Sequence, residues 1–176
     1  MYTLLGMDPG TNNYAYSVIR VKLNPFRYEI LEHGMIKHRV KEMNGLGVGL
    51  DMKRFAGEIR KLKRKYNIDF AIAERFMTRG HGGTTIEAIS AMLGIVGLIF
   101  GTECCFISAA VWKNAFNKLY DLKKVYTELL KYGIENHRVD AVSIGLYGAT
   151  LVLEEPKHFE FLKNIRQFKQ RIIQKR

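Results

Sequence analysis

The sequence predicts an α/β domain, a mixed five-stranded sheet flanked by helices. Three observations predict it. The chain opens with three apolar stretches separated by turn residues, the mark of an antiparallel meander. Beyond residue 50 the apolar spacing turns helical, and two further strand-like stretches alternate with helical ones, as in a layered sheet. Hydrophobic residues make up 47% of the 176 and charged residues 26%, enough apolar side chains to fill one core.

Each element follows in order. Thr3–Asp8 reads as a buried strand ending at the turn Pro9-Gly10. Tyr14–Val21 reads as a second strand, with Tyr14, Tyr16 and Val18 alternating, and Tyr28–Ile36 as a third. Leu50, Phe55, Ile59, Leu62 and Tyr66 share one helical face, and Lys53, Arg60, Lys61, Arg64 and Lys65 occupy the others. Phe70–Glu74 is a strand with Phe70, Ile72 and Glu74 pointing the same way. Thr84 or Thr85 is placed to cap a helix over Ile86–Phe100, rich in Ala88, Ala91, Gly94 and Gly97. Cys104–Ile107 is the fifth strand. Helices follow near Ala109–Phe116, Leu122–Tyr132 and His137–Leu151. After Pro156, Phe161, Leu162, Ile165, Phe168 and Ile172 form an apolar stripe on an otherwise basic helix. The expected organisation is a domain over 1–156 and a basic amphipathic helix over 157–176, docked on the domain or free to contact nucleic acid.

Charge narrows the partner. Lys and Arg number 28 against 17 Asp and Glu, a net +11, and such an excess attracts polyanions, usually nucleic acid. No membrane partner is expected: the longest uncharged run, between Glu87 and Glu103, falls short of the roughly 18–20 apolar residues of a span. Asp8 interrupts the first apolar stretch and no basic segment precedes it, so no secretory signal is expected. Cys104 and Cys105 are adjacent, awkward for a mutual disulfide and too few for a zinc site. The expectation is a reduced, cytoplasmic protein.

A basic protein has reason to keep carboxylates away from phosphates, which singles out three of them. Asp8 and Glu74 end predicted strands, and Asp140 begins a helix in His137-Arg138-Val139-Asp140, where His137 and Asp140 share a face. Each has a structural alternative. Asp-Pro-Gly is good turn chemistry, Glu74 suits an exposed strand end, and Asp140 suits a helix start. If the four converge, three negative charges beside an imidazole call for a cation, and oxygen-rich ligation favours Mg²⁺ or Mn²⁺. Two such ions about 3.5–4 Å apart are the apparatus of many nucleases.

Three segments resemble the RuvC-type Holliday junction resolvases. Leu5-Gly6-Met7-Asp8-Pro9-Gly10-Thr11, running on to Tyr16-Ser17-Val18-Ile19, is similar to that family's opening. Ala71-Ile72-Ala73-Glu74-Arg75-Phe76-Met77 is similar to its second acidic segment, and His137–Gly145 to its closing motif. The resemblance covers residues 3–150 in order, and the basic, short chain looks most like a phage version, which would act in the host cytoplasm. It implies an RNase H-like fold, a homodimer meeting through the small-residue helix, and paired Mg²⁺-dependent nicks across a four-way junction. By the matching motifs, Asp8, Glu74 and Asp140 would be catalytic, metal-binding carboxylates and His137 the fourth ligand or the group that activates water. Two Mg²⁺ ions, or Mn²⁺ in their place, would drive in-line attack of water, leaving 5′-phosphate and 3′-hydroxyl ends. In two respects the sequence departs: Glu74 lies two residues before Phe76, where the family places its acid three before the Phe-Met pair, and the tail after Pro156 matches no segment of the family.

Expected DNA contacts follow the site. Arg75, Phe76, Arg79 and His81 belong to a basic, Gly-rich segment directly after Glu74, and Lys113, Lys118, Lys123 and Lys124 to the later helices. The segment lacks the Gly-Lys-Ser/Thr ending of a phosphate-binding P-loop. Two rival readings remain at this level: an actin- or sugar-kinase-like ATPase, whose first phosphate loop also reads Asp-x-Gly-Thr, and a branched-DNA-binding module whose carboxylates are incidental.

Overall fold

Three strands over residues 2–9, 13–23 and 26–37 form the expected meander in a computed structural model that describes residues 1–10, 13–23, 26–38, 46–75, 83–119, 122–134 and 136–152. Strand β1 (Tyr2–Pro9) pairs antiparallel with β2 (Asn13–Leu23), and β2 pairs antiparallel with β3 (Phe26–Lys37). On the other side of β1 lies β4 (Phe70–Arg75), parallel to it, followed by β5 (Cys104–Ser108), parallel to β4. The order β3-β2-β1-β4-β5 is the mixed five-stranded sheet that the sequence predicts. The helices are α1 (Leu46–Tyr66), α2 (Thr84–Phe100), α3 (Ala109–Leu119), α4 (Leu122–Leu130) and α5 (His137–Val152). The predicted helix after Pro156 lies outside the described residues.

Helices cover both faces of the sheet. Leu5, Met7, Tyr14 and Val18 pack against Phe55 and Ile59 of α1 and Met92 and Val96 of α2. Leu4, Ile19 and Ile72, on the opposite parity, pack against α5, with Trp112 and Phe116 of α3 completing that layer. This two-sided cover explains a departure from the expected alternation in β2: Ala15, Ser17 and Ile19 are as buried as Tyr14 and Val18.

Three other details differ from expectation. Leu50 is 69% exposed, so α1 buries Phe55, Ile59 and Leu62 without it. The N-cap of α2 is Gly83, with no side-chain cap hydrogen bond, in place of Thr84 or Thr85. And Ile86–Glu103 is after all long and apolar enough to cross a membrane, with mean hydropathy 1.6. Core helices pass that test too, and α2 does pack on the sheet through Ala88, Met92, Val96 and Phe100.

Helix α5 sits unusually close to the sheet. A Cβ on Gly6 would lie 2.2 Å from the Ala141 carbonyl oxygen, and one on Gly148 2.2 Å from Ile72. Ser17 Oγ donates to the same Ala141 carbonyl at 2.8 Å in the buried layer. Glycine thus lets the backbone of α5 rest on β1, and this contact carries the first turn of α5 to the end of β1.

Candidate active site

Two parallel strands bring the first two carboxylates together. The register pairs Met7 with Ala73, so Asp8 and Glu74 follow side by side at the carboxyl ends of β1 and β4. Asp8 has the parity of Leu4 and Glu74 that of Ile72, so both face the α5 layer. The first turn of α5 then delivers His137 and Asp140 over the strand ends. The left-handed backbone at Gly133 and Asn136 (φ 69° and 49°) turns the chain into that helix.

The side chains engage in pairs. His137 Nδ1 lies 2.6 Å from Asp8 Oδ2; the Asp8 side chain is 7% exposed and the imidazole 57%. Trp112 Nε1 donates to Glu74 Oε2 at 2.7 Å from a fully buried ring. Asp140, 13% exposed, accepts from the Tyr126 hydroxyl and faces Lys113 Nζ at 3.5 Å. That ammonium also sits 5.0 Å from the Trp112 ring centroid, a cation–π contact. As these pairs stand, no three His, Cys, Asp or Glu side chains among the described residues are grouped to hold a metal ion.

The electrostatics say what is stored here. Burial pushes the Asp8 carboxyl up to about 7; the His137 hydrogen bond pulls it down, and the charges of Asp140 and Glu74 push it further up. Burial likewise raises Asp140, against Lys113, with Glu74 adding to the rise. The mutual influence places Asp8, Glu74 and Asp140 in one crowded negative site. Three hard oxygen donors and an imidazole there suit Mg²⁺ or Mn²⁺. To receive one, Asp140 would turn from Tyr126 and Lys113, while Glu74 would offer the oxygen that Trp112 does not hold.

The Asp8 shift has a definite sign. Its native value near 7 lies above the ordinary 3.8, so between the two the folded chain binds more protons than the unfolded one. Its contribution to stability is therefore greatest at low pH and is lost as pH rises towards about 7. In metal-free urea melts the midpoint should fall from about pH 5 to about pH 8 more steeply in the native sequence than in Asp8→Asn. Equal pH dependence would contradict the raised value.

Trp112 and Tyr126 are the two site residues that sequence reasoning passed over. A signal existed for Trp112: a buried indole needs a partner for its N–H. None existed for Tyr126. Trp112→Phe keeps most of the ring and drops the donor, and a hydrogen bond to a charged group is worth about 1.5–3 kcal/mol. The stability loss should be of that order, and should shrink when Glu74→Ala is already present. A double-mutant cycle without coupling would contradict the bond.

Of the expected DNA contacts, Lys113 reaches the site, and Arg75 and Lys123 are exposed. Phe76, Arg79 and His81, and the side chains of Lys118 and Lys124, lie outside the described residues.

No family model and no curated protein matches the chain. Solved structures do. Thermus thermophilus RuvC in complex with a Holliday junction substrate superposes with a TM-score of 0.60 at 18% identity, over 81% of this chain and 90% of that one. A second Thermus thermophilus RuvC structure gives 0.60 at 15% identity over the same shares. The Fowlpox virus resolvase with Holliday junction DNA gives 0.51 at 14%, over 86% of this chain and 99% of that one. The chain therefore has the RNase H-like α/β fold of the RuvC-type resolvases.

Proposed function

We propose that the protein is a metal-dependent endonuclease that nicks four-way and other branched DNA. The observation that supports this reading best is the crowding of Asp8, Glu74 and Asp140, with His137, at the carboxyl ends of β1 and β4. Its basic charge and a fold shared with two resolvases solved on Holliday junctions add to it.

In this reading Asp8, Glu74, Asp140 and His137 would hold Mg²⁺, two ions per site. The ions would neutralise charge on the scissile phosphate and lower the pKa of the attacking water. The chain's own groups do the rest. Trp112 fixes one oxygen of Glu74 and leaves the other free. Lys113, at the edge of the site, answers the negative charge of the phosphate once Asp140 is engaged elsewhere. His137, the most exposed of the four, would complete the ligand set or, with Asp8 behind it to orient the ring, receive the proton of the attacking water. The test is single-turnover cleavage of an end-labelled four-way junction with Mg²⁺ beside a linear duplex of the same arms. Nicks confined to the junction, with 5′-phosphate and 3′-hydroxyl ends, are expected. ATP turnover, or metal-independent binding without nicks, would replace this reading with one of its rivals.

The proposal includes a homodimer through α2. The outer face of that helix carries Gly94, Gly97 and an 81% exposed Leu98, beside the half-exposed ring of Phe106. A Cβ on Gly94 would meet nothing within 4 Å, so Gly94→Leu fits the isolated chain. Light scattering should show this variant folded and monomeric, with paired nicking lost. A folded dimer would place the interface elsewhere.

A further inference from the structure

A second cationic surface lies on the far side of the sheet from the carboxylates. Helix α1 packs on the Leu5–Met7–Tyr14 face, whereas Asp8 and Glu74 belong to the Leu4–Ile72 face. Along the outside of α1, Lys53, Arg60 and Arg64 are exposed. At 3.6 residues per turn these positions, with Gly57 between them, fall in one line. The other cations of the helix are answered: Arg54 by Asp51, Lys61 by Glu58, Lys63 by Glu103 and Lys65 by Glu32. Lys53, Arg60 and Arg64 have no ion-pair partner among the described residues.

The geometry of the line suits a phosphate backbone. From residue 53 to residue 64 the helix rises about 16 Å. Duplex DNA carries about one charge per 1.7 Å of its axis, so that span faces several phosphates. Gly57 leaves a gap in the side-chain layer: a Cβ there would meet nothing within 4 Å, so a backbone can come close between Lys53 and Arg60. Beside the line, between α1 and β3, runs a groove of about 390 Å³ lined by Lys37, Arg54, Lys61 and Lys65 against Glu32 and Glu58. Glu32 is already taken by Lys65, Tyr16 and Tyr66, and against burial these three bonds lower it to about 2. The groove thus keeps a positive balance.

We propose that this face of α1 is a second DNA-contact surface, which binds the phosphate backbone of a duplex that the carboxylate site does not hold. That the duplex is DNA rests on the nuclease reading above; the cationic face does not. On a branched substrate the bound duplex would be another arm, or a neighbouring stretch of the same molecule.

The test is the salt dependence of binding. Each phosphate contact adds about 0.9 to the slope of log affinity against log salt, so the triple variant Lys53→Gln, Arg60→Gln, Arg64→Gln should lower it by about 2–3. Between about 50 and 200 mM salt that makes the loss of affinity about 40-fold smaller. The same change is expected on junction and linear duplex, with single-turnover cleavage of fully bound junction unchanged. Arg20→Gln, Lys22→Gln, Lys131→Gln removes equal charge elsewhere and should alter the slope far less. Gly57→Glu adds a repulsive charge at the gap and should weaken binding without removing a cation. An unaltered slope in the folded α1 triple, or an equal fall in the control triple, would overturn the proposal. A protein that cuts no junction but shows the α1-specific slope would keep this surface and lose the nuclease reading. One that cuts junctions with an unaltered slope would do the reverse.

Discussion

Asp8→Asn and Glu74→Gln are each expected to slow junction cleavage by about 10³-fold while leaving junction binding in metal-free buffer equal or slightly tighter. Both changes keep shape and remove one negative charge from the crowded site. The loss of a ligand should withdraw about 4 kcal/mol of transition-state stabilisation, and each 1.36 kcal/mol is a decade in rate. Binding should move the other way, because without metal these carboxylates repel the phosphates that Lys113 and its neighbours attract. Asp140→Asn should follow the same pattern. His137→Ala should be as severe if the imidazole holds metal, and milder if it only orients water. Binding measured in EDTA or Ca²⁺, then single-turnover cleavage in Mg²⁺, separates the two effects. Near-normal cleavage by both Asp8→Asn and Glu74→Gln would remove the two-metal site. Joint loss of cleavage and binding in folded protein would make these residues recognition elements instead.

Gly6→Val is expected to have the largest effect on stability. The first atom of any side chain at this position falls 2.2 Å from the Ala141 carbonyl oxygen and 2.6 Å from the Gly145 backbone nitrogen. Both are backbone atoms of a helix buried on the sheet, so no side chain can swing aside. Overpacking a core costs about 1–3 kcal/mol where side chains can adjust. Here α5 itself must lift, and the cost should exceed that range. The same displacement carries His137 and Asp140 away from Asp8, so any folded fraction should cleave poorly as well. A urea midpoint close to that of the native sequence would show that α5 does not rest on β1.

Much of this was legible in the sequence because local signals and tertiary packing agree. Tyr14, Val18 and Ile36 announce strands by pattern, and Phe55, Ile59 and Leu62 announce α1 by spacing. The two-sided burial of β2 was not legible, since alternation assumes one wet face and here α5 covers the other. Nor was the cap of α2: Thr84 and Thr85 are good cap residues, but the helix begins at Thr84 itself, with Gly83 before it. At the site, Asp8 and Glu74 could be placed at strand ends, and their pairing came only with the parallel register of β1 and β4. Their hydrogen-bond partners could not, because Trp112 and Tyr126 arrive from α3 and α4, and the docking of those helices follows from packing, not from any local pattern. Phe76, Arg79 and His81, the expected loop contacts, lie outside the described residues and stay expectations.

The most direct measurement is the product of one encounter with a cruciform. A supercoiled plasmid bearing an extruded four-way junction is incubated with the protein and Mg²⁺, beside the same plasmid without the cruciform and a reaction in EDTA. The account predicts linear DNA as the first product of the cruciform plasmid, because both nicks are made before the complex dissociates, and no product in either control. Equal nicking of both plasmids, or cleavage that persists in EDTA, would contradict it.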